Sequence, residues 1–140
     1  MKITICGSTK FVKEMNDAKS FLESRGHTAL LPLAAELNQG KEYWAELKSK
    51  DFEKFASIKS ERMMGHFDKV KSSDAILVLN YDKDGKKSYI GPNTLMEMGV
   101  AFEHCKKIFV LNQPQNSDPC YDEVASMHPV FLDGSVDNLE

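Results

Sequence analysis

The stretch Asp74-Ala-Ile-Leu-Val-Leu-Asn-Tyr81 decides the fold. Its continuous apolar run reads as a parallel strand buried on both faces, because a sheet with one wet face would alternate polar and apolar residues. Working outward, Lys2–Cys6 (KITIC) and Lys107–Asn112 (KIFVLN) read as further short buried strands. His27–Pro32 and Pro129–Leu132 supply two more strand candidates. Between the first two strands, residues 10–25 place Phe11, Met15, Ala18, Phe21 and Leu22 on one helical face, and Gly26 supplies the stop. Residues 41–72 form a polar, helix-rich region in which Trp44, Leu47, Phe52, Phe55, Ile58 and Met63 recur at helical steps; a break is expected near Gly65. A loop rich in Asp, Lys and Gly (82–91) leads into a helix over 93–104 with Pro92 at its first turn. Tyr121–Met127 reads as a last short helix.

Strands alternating with helices imply an α/β fold with right-handed crossovers and a parallel five-stranded sheet carrying helices on both faces. The 140 residues suit one domain. Charged residues at 28% and hydrophobic residues at 41% argue for a packed core over disorder. A net charge of −3 argues against a nucleic-acid polymer as partner, while a small anionic ligand stays open. No apolar run approaches the roughly 18 residues of a membrane span. The first residues, MKITICGSTK, turn polar too soon for a signal peptide. Cys6, Cys105 and Cys120 are too widely spaced for a CxxC zinc site or a disulfide framework, so a reducing cytoplasm and no metal are the expectation.

In open parallel sheets ligands bind beyond the carboxyl ends of the strands. That rule selects the Gly7–Lys10 turn and the segment from Asn80 to Asn93 with the helix it feeds. Gly7, Ser8 and Thr9 could cradle a phosphate, or Ser and Thr could simply cap the helix. The turn is neither a GxGxxG fingerprint nor a P-loop. Glu97 shares a helical face with Val100, Ala101 and His104 near the expected crevice. A carboxylate there serves as nucleophile or general base, although spacing alone favours a glutamate placed to suit the helix dipole. Gly91 would let the loop fold over a ligand, and Gly99 would let the helix approach the sheet. His66 could donate a proton at the crevice, the alternative being a surface histidine. Asp82 and Asp84 could hold a substrate hydroxyl or be solvated loop charges. Tyr43 and Trp44 could stack on a base, but their spacing with Leu47 reads first as core or interface.

Three segments, ICGSTKF, SDAILVLN and YIGPNTLMEMGVAF, together resemble the nucleoside 2-deoxyribosyltransferase-like superfamily, which includes the 2′-deoxynucleoside 5′-monophosphate N-glycosidases. The resemblance covers about two thirds of the chain by its sheet and its first and fourth helices, and implies one such domain over residues 1–140 with a flavodoxin-like fold. It implies that Glu97 attacks the anomeric carbon of a 2-deoxyribosyl group, that the base departs, and that water or a second base resolves the glycosyl-enzyme, as in retaining glycosidases. No metal or redox cofactor is implied. A homodimer or larger homo-oligomer is implied, with a nucleoside or nucleotide as the small-molecule partner and nucleotide metabolism as the setting. The transferases carry an aspartate where this chain has Gly91, and another where it has His66. Ser8 fits the phosphate-binding serine of the nucleotide glycosidases; Ser88 and Asn93 are further candidates, and Cys6, Gly7, Thr9 and Asn80 lie beside them in the two loops. Hydrolysis of a deoxynucleotide is therefore favoured over base exchange, with a non-catalytic nucleotide-binding sensor as the alternative.

Overall fold

A computed structural model describes residues 1–140. Five strands, β1 (Lys2–Gly7), β2 (Thr28–Leu30), β3 (Ala75–Leu79), β4 (Lys107–Val110) and β5 (Val130–Phe131), form one sheet in the order β2-β1-β3-β4-β5. Every neighbouring pair is parallel, with Ile5 opposite Leu77 and Leu77 opposite Phe109 at the centre. This is the flavodoxin-like order, whose direction of winding reverses between β1 and β3. All five residues of β3 are fully buried, as its unbroken apolar sequence requires.

Alternation along the strands sorts side chains into two cores. Ile3, Ile5, Ala75, Leu77, Leu79 and Phe109 meet Val12, Met15, Ala18 and Leu22 of α1 (Val12–Ser24) on one face. Cys6, Ile76, Val78, Ile108 and Val110 point to the other. There they meet Val70 of α4 (Phe52–Ser72), Met98 and Ala101 of α5 (Pro92–Glu103), and Val124 of α6 (Tyr121–Ser126). Helices therefore cover both faces, and Cys6 faces α4 and α5 because Ile5 must face α1.

The region expected to break near Gly65 breaks elsewhere. A short α2 (Leu33–Glu36) is followed by α3 (Lys41–Lys50), and α4 then runs unbroken through Gly65. The division falls at Asp51, whose extended backbone leaves the helix and whose carboxylate accepts a hydrogen bond from the Lys54 amide at 3.1 Å. An aspartate that caps a helix start is a stronger punctuation mark than an exposed glycine inside one. The first turn after β1 is a 3-10 turn (Thr9–Phe11), capped by Ser8, whose hydroxyl accepts from the Lys10 amide at 3.2 Å. Gly99 does not serve close packing against the sheet: no atom lies within 4 Å of the place its Cβ would occupy, and Met98 and Ala101 make that contact instead. His104, expected on the Glu97 face, is exposed at the end of α5.

Removing the cap in Asp51→Ala should lower unfolding free energy by about 1 kcal/mol. Leu77→Ala, which empties the centre of β3, should lower it by about 2–5 kcal/mol. Urea denaturation followed by circular dichroism measures both.

Candidate active site

The winding reversal opens a crevice between the carboxyl ends of β1 and β3, and three buried side chains converge beneath it. Cys6 comes from β1, His66 from α4 and Glu97 from α5, with exposures of 0%, 5% and 3%. His66 Nε2 lies 3.6 Å from Cys6 Sγ and 3.9 Å from Glu97 Oε2. The Asn93 side-chain amide, one turn earlier on α5, donates to Glu97 Oε2 at 3.3 Å. Glu97 is on the buried stripe of α5 together with Thr94, Met98 and Ala101, which is why an ionisable group ends up in a core position.

Burial governs the charges here. It lifts the Glu97 carboxyl to about 8, opposed by the Cys6 thiol and then by the positive field of Lys59. It lowers His66 to about 4, helped by the charge of Lys69. It pushes the Cys6 thiol well above its usual range, reinforced by Glu97. An ionised group removed from water without a close counter-charge favours its neutral form. At neutral pH all three groups are therefore uncharged. Their donor atoms lie within 4.8 Å of one another, close enough for one cation to be shared. A cation would have to displace protons from both the thiol and the carboxyl, because metals bind the deprotonated ligands.

Two cavities meet over this floor. The first, about 170 Å³, has apolar and aromatic walls from Pro32, Leu33, Trp44, Phe55 and Met63, and it reaches His66 and Glu97. The second, about 260 Å³, is polar, with Ser8, Lys83, Tyr89, Gly91 and Thr94 around the start of α5. Gly7, Thr9, Lys59 and Asn93 border both. Two lysines, Lys59 and Lys83, line the polar cavity. Lys83 is shifted downward by partial burial and then by the charge of Lys41, with Asp84 opposing. Asp84 bridges Lys10 and Lys41 at 3.4 and 3.3 Å and so ties the loop after β3 to the loop after β1 and to α3. Asp84 and Gly85 both adopt positive φ and close a tight turn in which Lys83 and Lys86 exchange backbone hydrogen bonds.

The structure thus brings Gly7, Ser8, Thr9, His66, Gly91, Asn93 and Glu97 to one crevice, with Cys6 beneath it. A Cβ at Gly91 would lie 2.9 Å from the Tyr89 hydroxyl, so any other residue there would make the Tyr89 ring swing aside. Asn80 and Ser88 border neither cavity. Asn80 is fully buried and locks the end of β3 to the segment after β4: its Oδ1 accepts from the Asn112 amide at 2.9 Å and its Nδ2 donates to the Asn112 carbonyl at 2.6 Å. The same Nδ2 reaches the Ser88 carbonyl at 3.3 Å, and the Ser88 amide donates to Asp82. Both residues shape the loop that carries Lys83 and Tyr89.

Lys59, Arg62, Met63, Phe55, Lys83 and Tyr89 border the crevice without having been singled out as site residues in the sequence. Phe55, Lys59, Arg62, Met63 and His66 recur at three- and four-residue steps, the one readable sign that a face of α4 looks onto a common space. Trp44 lines the apolar cavity with its indole N–H fixed to the Gln39 carbonyl at 3.0 Å, while Tyr43 is exposed.

No family model and no curated protein sequence matches the chain. Among solved structures, it is similar to the CMP N-glycosidase BcmB of Clostridium botulinum, with a TM-score of 0.52 and 16% identity over 94% of this chain and 88% of that one. It is also similar to a 2-deoxyribosyltransferase from the psychrotolerant bacterium Bacillus psychrosaccharolyticus, with a TM-score of 0.55 and 16% identity over 94% of this chain and 98% of that one. The flavodoxin-like fold expected from the sequence is the fold of this chain, and it is shared along nearly its whole length with these two proteins.

Proposed function

We propose that this protein cleaves the N-glycosidic bond of 2′-deoxynucleosides or their 5′-monophosphates, by hydrolysis or base transfer, through a covalent glycosyl-Glu97 intermediate. The observation that carries the reading is the placement of Glu97 on the floor where an aromatic cavity and a polar cavity lined by Lys59 and Lys83 join. A nucleotide has the same polarity along its length. Its flat base suits Trp44 and Phe55, and its phosphate suits Ser8, Lys59, Lys83 and the free amides at the start of α5. The sugar between them crosses Gly7 and Asn93, above the carboxyl group. The charges of Lys59 and Lys83 favour the monophosphate over the free nucleoside.

The neutral resting cluster sets the chemistry. Glu97 gives its proton to the adjacent His66 Nε2, and the freed carboxylate attacks C1′. The C1′–N bond breaks, its electron pair leaves with the base, and His66 passes the proton to the base. Water then attacks C1′ of the glycosyl ester and returns a proton to the cluster, or a second base attacks instead. Asn93 holds the attacking oxygen in place through its side-chain amide. Burial raises the free energy of the carboxylate and so favours the transition state, in which charge develops on the sugar directly above it.

Incubation of the pure protein with separate deoxynucleosides and deoxynucleotides should release free base, detected by chromatography. Glu97→Ala should lower that rate roughly a thousandfold or more, as loss of a nucleophile does. A nucleotide-induced rise in melting temperature without base release would instead identify a binding sensor.

The active cluster holds a single proton shared by Glu97 and His66. A second proton, gained near pH 4, blocks the nucleophile, and loss of the only proton, near pH 8, removes the acid. With an unphosphorylated deoxynucleoside, kcat/KM should therefore form a bell with limbs near these values. A rate that climbs steadily through pH 8 would mean that the carboxylate alone suffices and that His66 is no acid.

A further inference from the structure

Arg62 is a cation without a partner in the apolar half of the crevice. It lies on α4 one turn before His66, on the same helix face, and borders the aromatic cavity that contains Glu97. Its guanidinium is stacked against Trp44, with Cζ 5.1 Å from the ring centroid. Its Nη1 is buried with no hydrogen-bond acceptor. Carboxylates lie close by: Glu36 and Glu61 border an adjoining groove with Arg62. Glu36, however, is committed to Lys69 at 3.3 Å, and no ion pair forms to Arg62. A guanidinium carries five donors in a rigid fork, and leaving such donors unmet out of water is unfavourable. An arginine that serves only packing would turn its fork to solvent or to a carboxylate. Here the indole plane holds the fork beside the aromatic cavity, with Nη1 out of water although the side chain as a whole is partly exposed.

On the proposed glycosidase reading, we infer that Arg62 recognises the base by donating to a ring carbonyl oxygen and stabilises that base as it leaves. When the C1′–N bond breaks, the electron pair moves into the ring and spreads to its carbonyl oxygen, before His66 delivers the proton to the ring nitrogen. A hydrogen bond from a cation to that oxygen strengthens as the charge grows, so it lowers the barrier more than it tightens ground-state binding. Bases with a ring carbonyl (uracil, thymine, cytosine and guanine) fit this donor. Adenine has no such oxygen. Among the nucleotides this makes the enzyme selective for keto bases, with Arg62 both a specificity determinant and a catalytic residue.

The test compares wild type, Arg62→Ala and Arg62→Lys on dUMP, 5-fluoro-dUMP and dAMP, with folding checked by circular dichroism. Wild type should release uracil faster than adenine. Arg62→Ala should lose about 10²–10³-fold in kcat/KM on dUMP, the usual effect of removing one donor to a developing negative charge. The loss should be smaller on 5-fluoro-dUMP, whose fluorine already stabilises the departing ring, and Arg62→Lys should recover part of the rate by keeping the charge. An equal loss on all three substrates, no loss at all, or wild-type preference for dAMP would overturn the assignment. Calorimetric titration with free uracil separates this inference from the glycosidase reading. If wild type turns over nothing, that reading fails, while uracil binding that disappears in Arg62→Ala still supports the base contact and unchanged binding refutes it.

Discussion

Everything at the crevice follows from one constraint, the removal of the Glu97 carboxyl from water at the point where the sheet changes its direction of winding. The carboxyl occupies a position on α5 where Thr94, Met98 and Ala101 show that the helix is turned inward. An aliphatic residue would be the ordinary occupant of such a site. A carboxyl group there must stay protonated or find a partner, and the available neighbours are an uncharged histidine, an uncharged thiol and an asparagine amide. The protein therefore holds an acid near pH 8 and a base near pH 4 within a few ångströms, in a place that a substrate can reach. Pairs of titratable groups pushed apart in this way are characteristic of sites that move protons.

The fold supplies the means. Strand alternation sends Ile5 toward α1 and Cys6 toward α4 and α5, so the register of β1 brings the thiol to His66. Because the connection out of β1 runs to β2 on one side and that out of β3 runs to β4 on the other, the loops after β1 and β3 diverge and leave room between them. The α3–α4 hairpin roofs that room with aromatic rings, and the Asp84 bridges hold the opposite loop in place. The exposed bridges to Asp84 contribute little stability individually, since solvent and salt screen such pairs. What they provide is the position of Lys83 and Tyr89 at the rim of the polar cavity.

Much of this was readable from residues alone, for identifiable reasons. Buried parallel strands announce themselves as unbroken apolar runs, so β1, β3 and β4 and the alternating order were visible. Gly7, Ser8, Thr9, Gly91, Asn93 and Glu97 could be placed because the ends of such strands are where ligands bind. The path of residues 33–72 could not be read, since α3 buries no residue and its capping signal at Asp51 lies within a run of helix formers. For the same reason Lys59 and Arg62 remained hidden and Trp44 read first as core or interface, as their positions come from how the hairpin folds back over the sheet. Asn80 and Ser88 illustrate the opposite case. They occupy the correct loop, but their polar groups are consumed in bracing it, a distinction that only the hydrogen-bond partners reveal.

The central claim is that Glu97 forms a bond to the sugar, and the most direct measurement is mass spectrometry of the protein incubated with a 2′-fluoro-arabino deoxynucleotide analogue, whose fluorine slows breakdown of a glycosyl ester. Peptide mapping should place the mass of one sugar phosphate on the peptide that contains Glu97, with the adduct absent in Glu97→Ala. Base release with no adduct on that peptide, or an adduct on another side chain, would contradict the account.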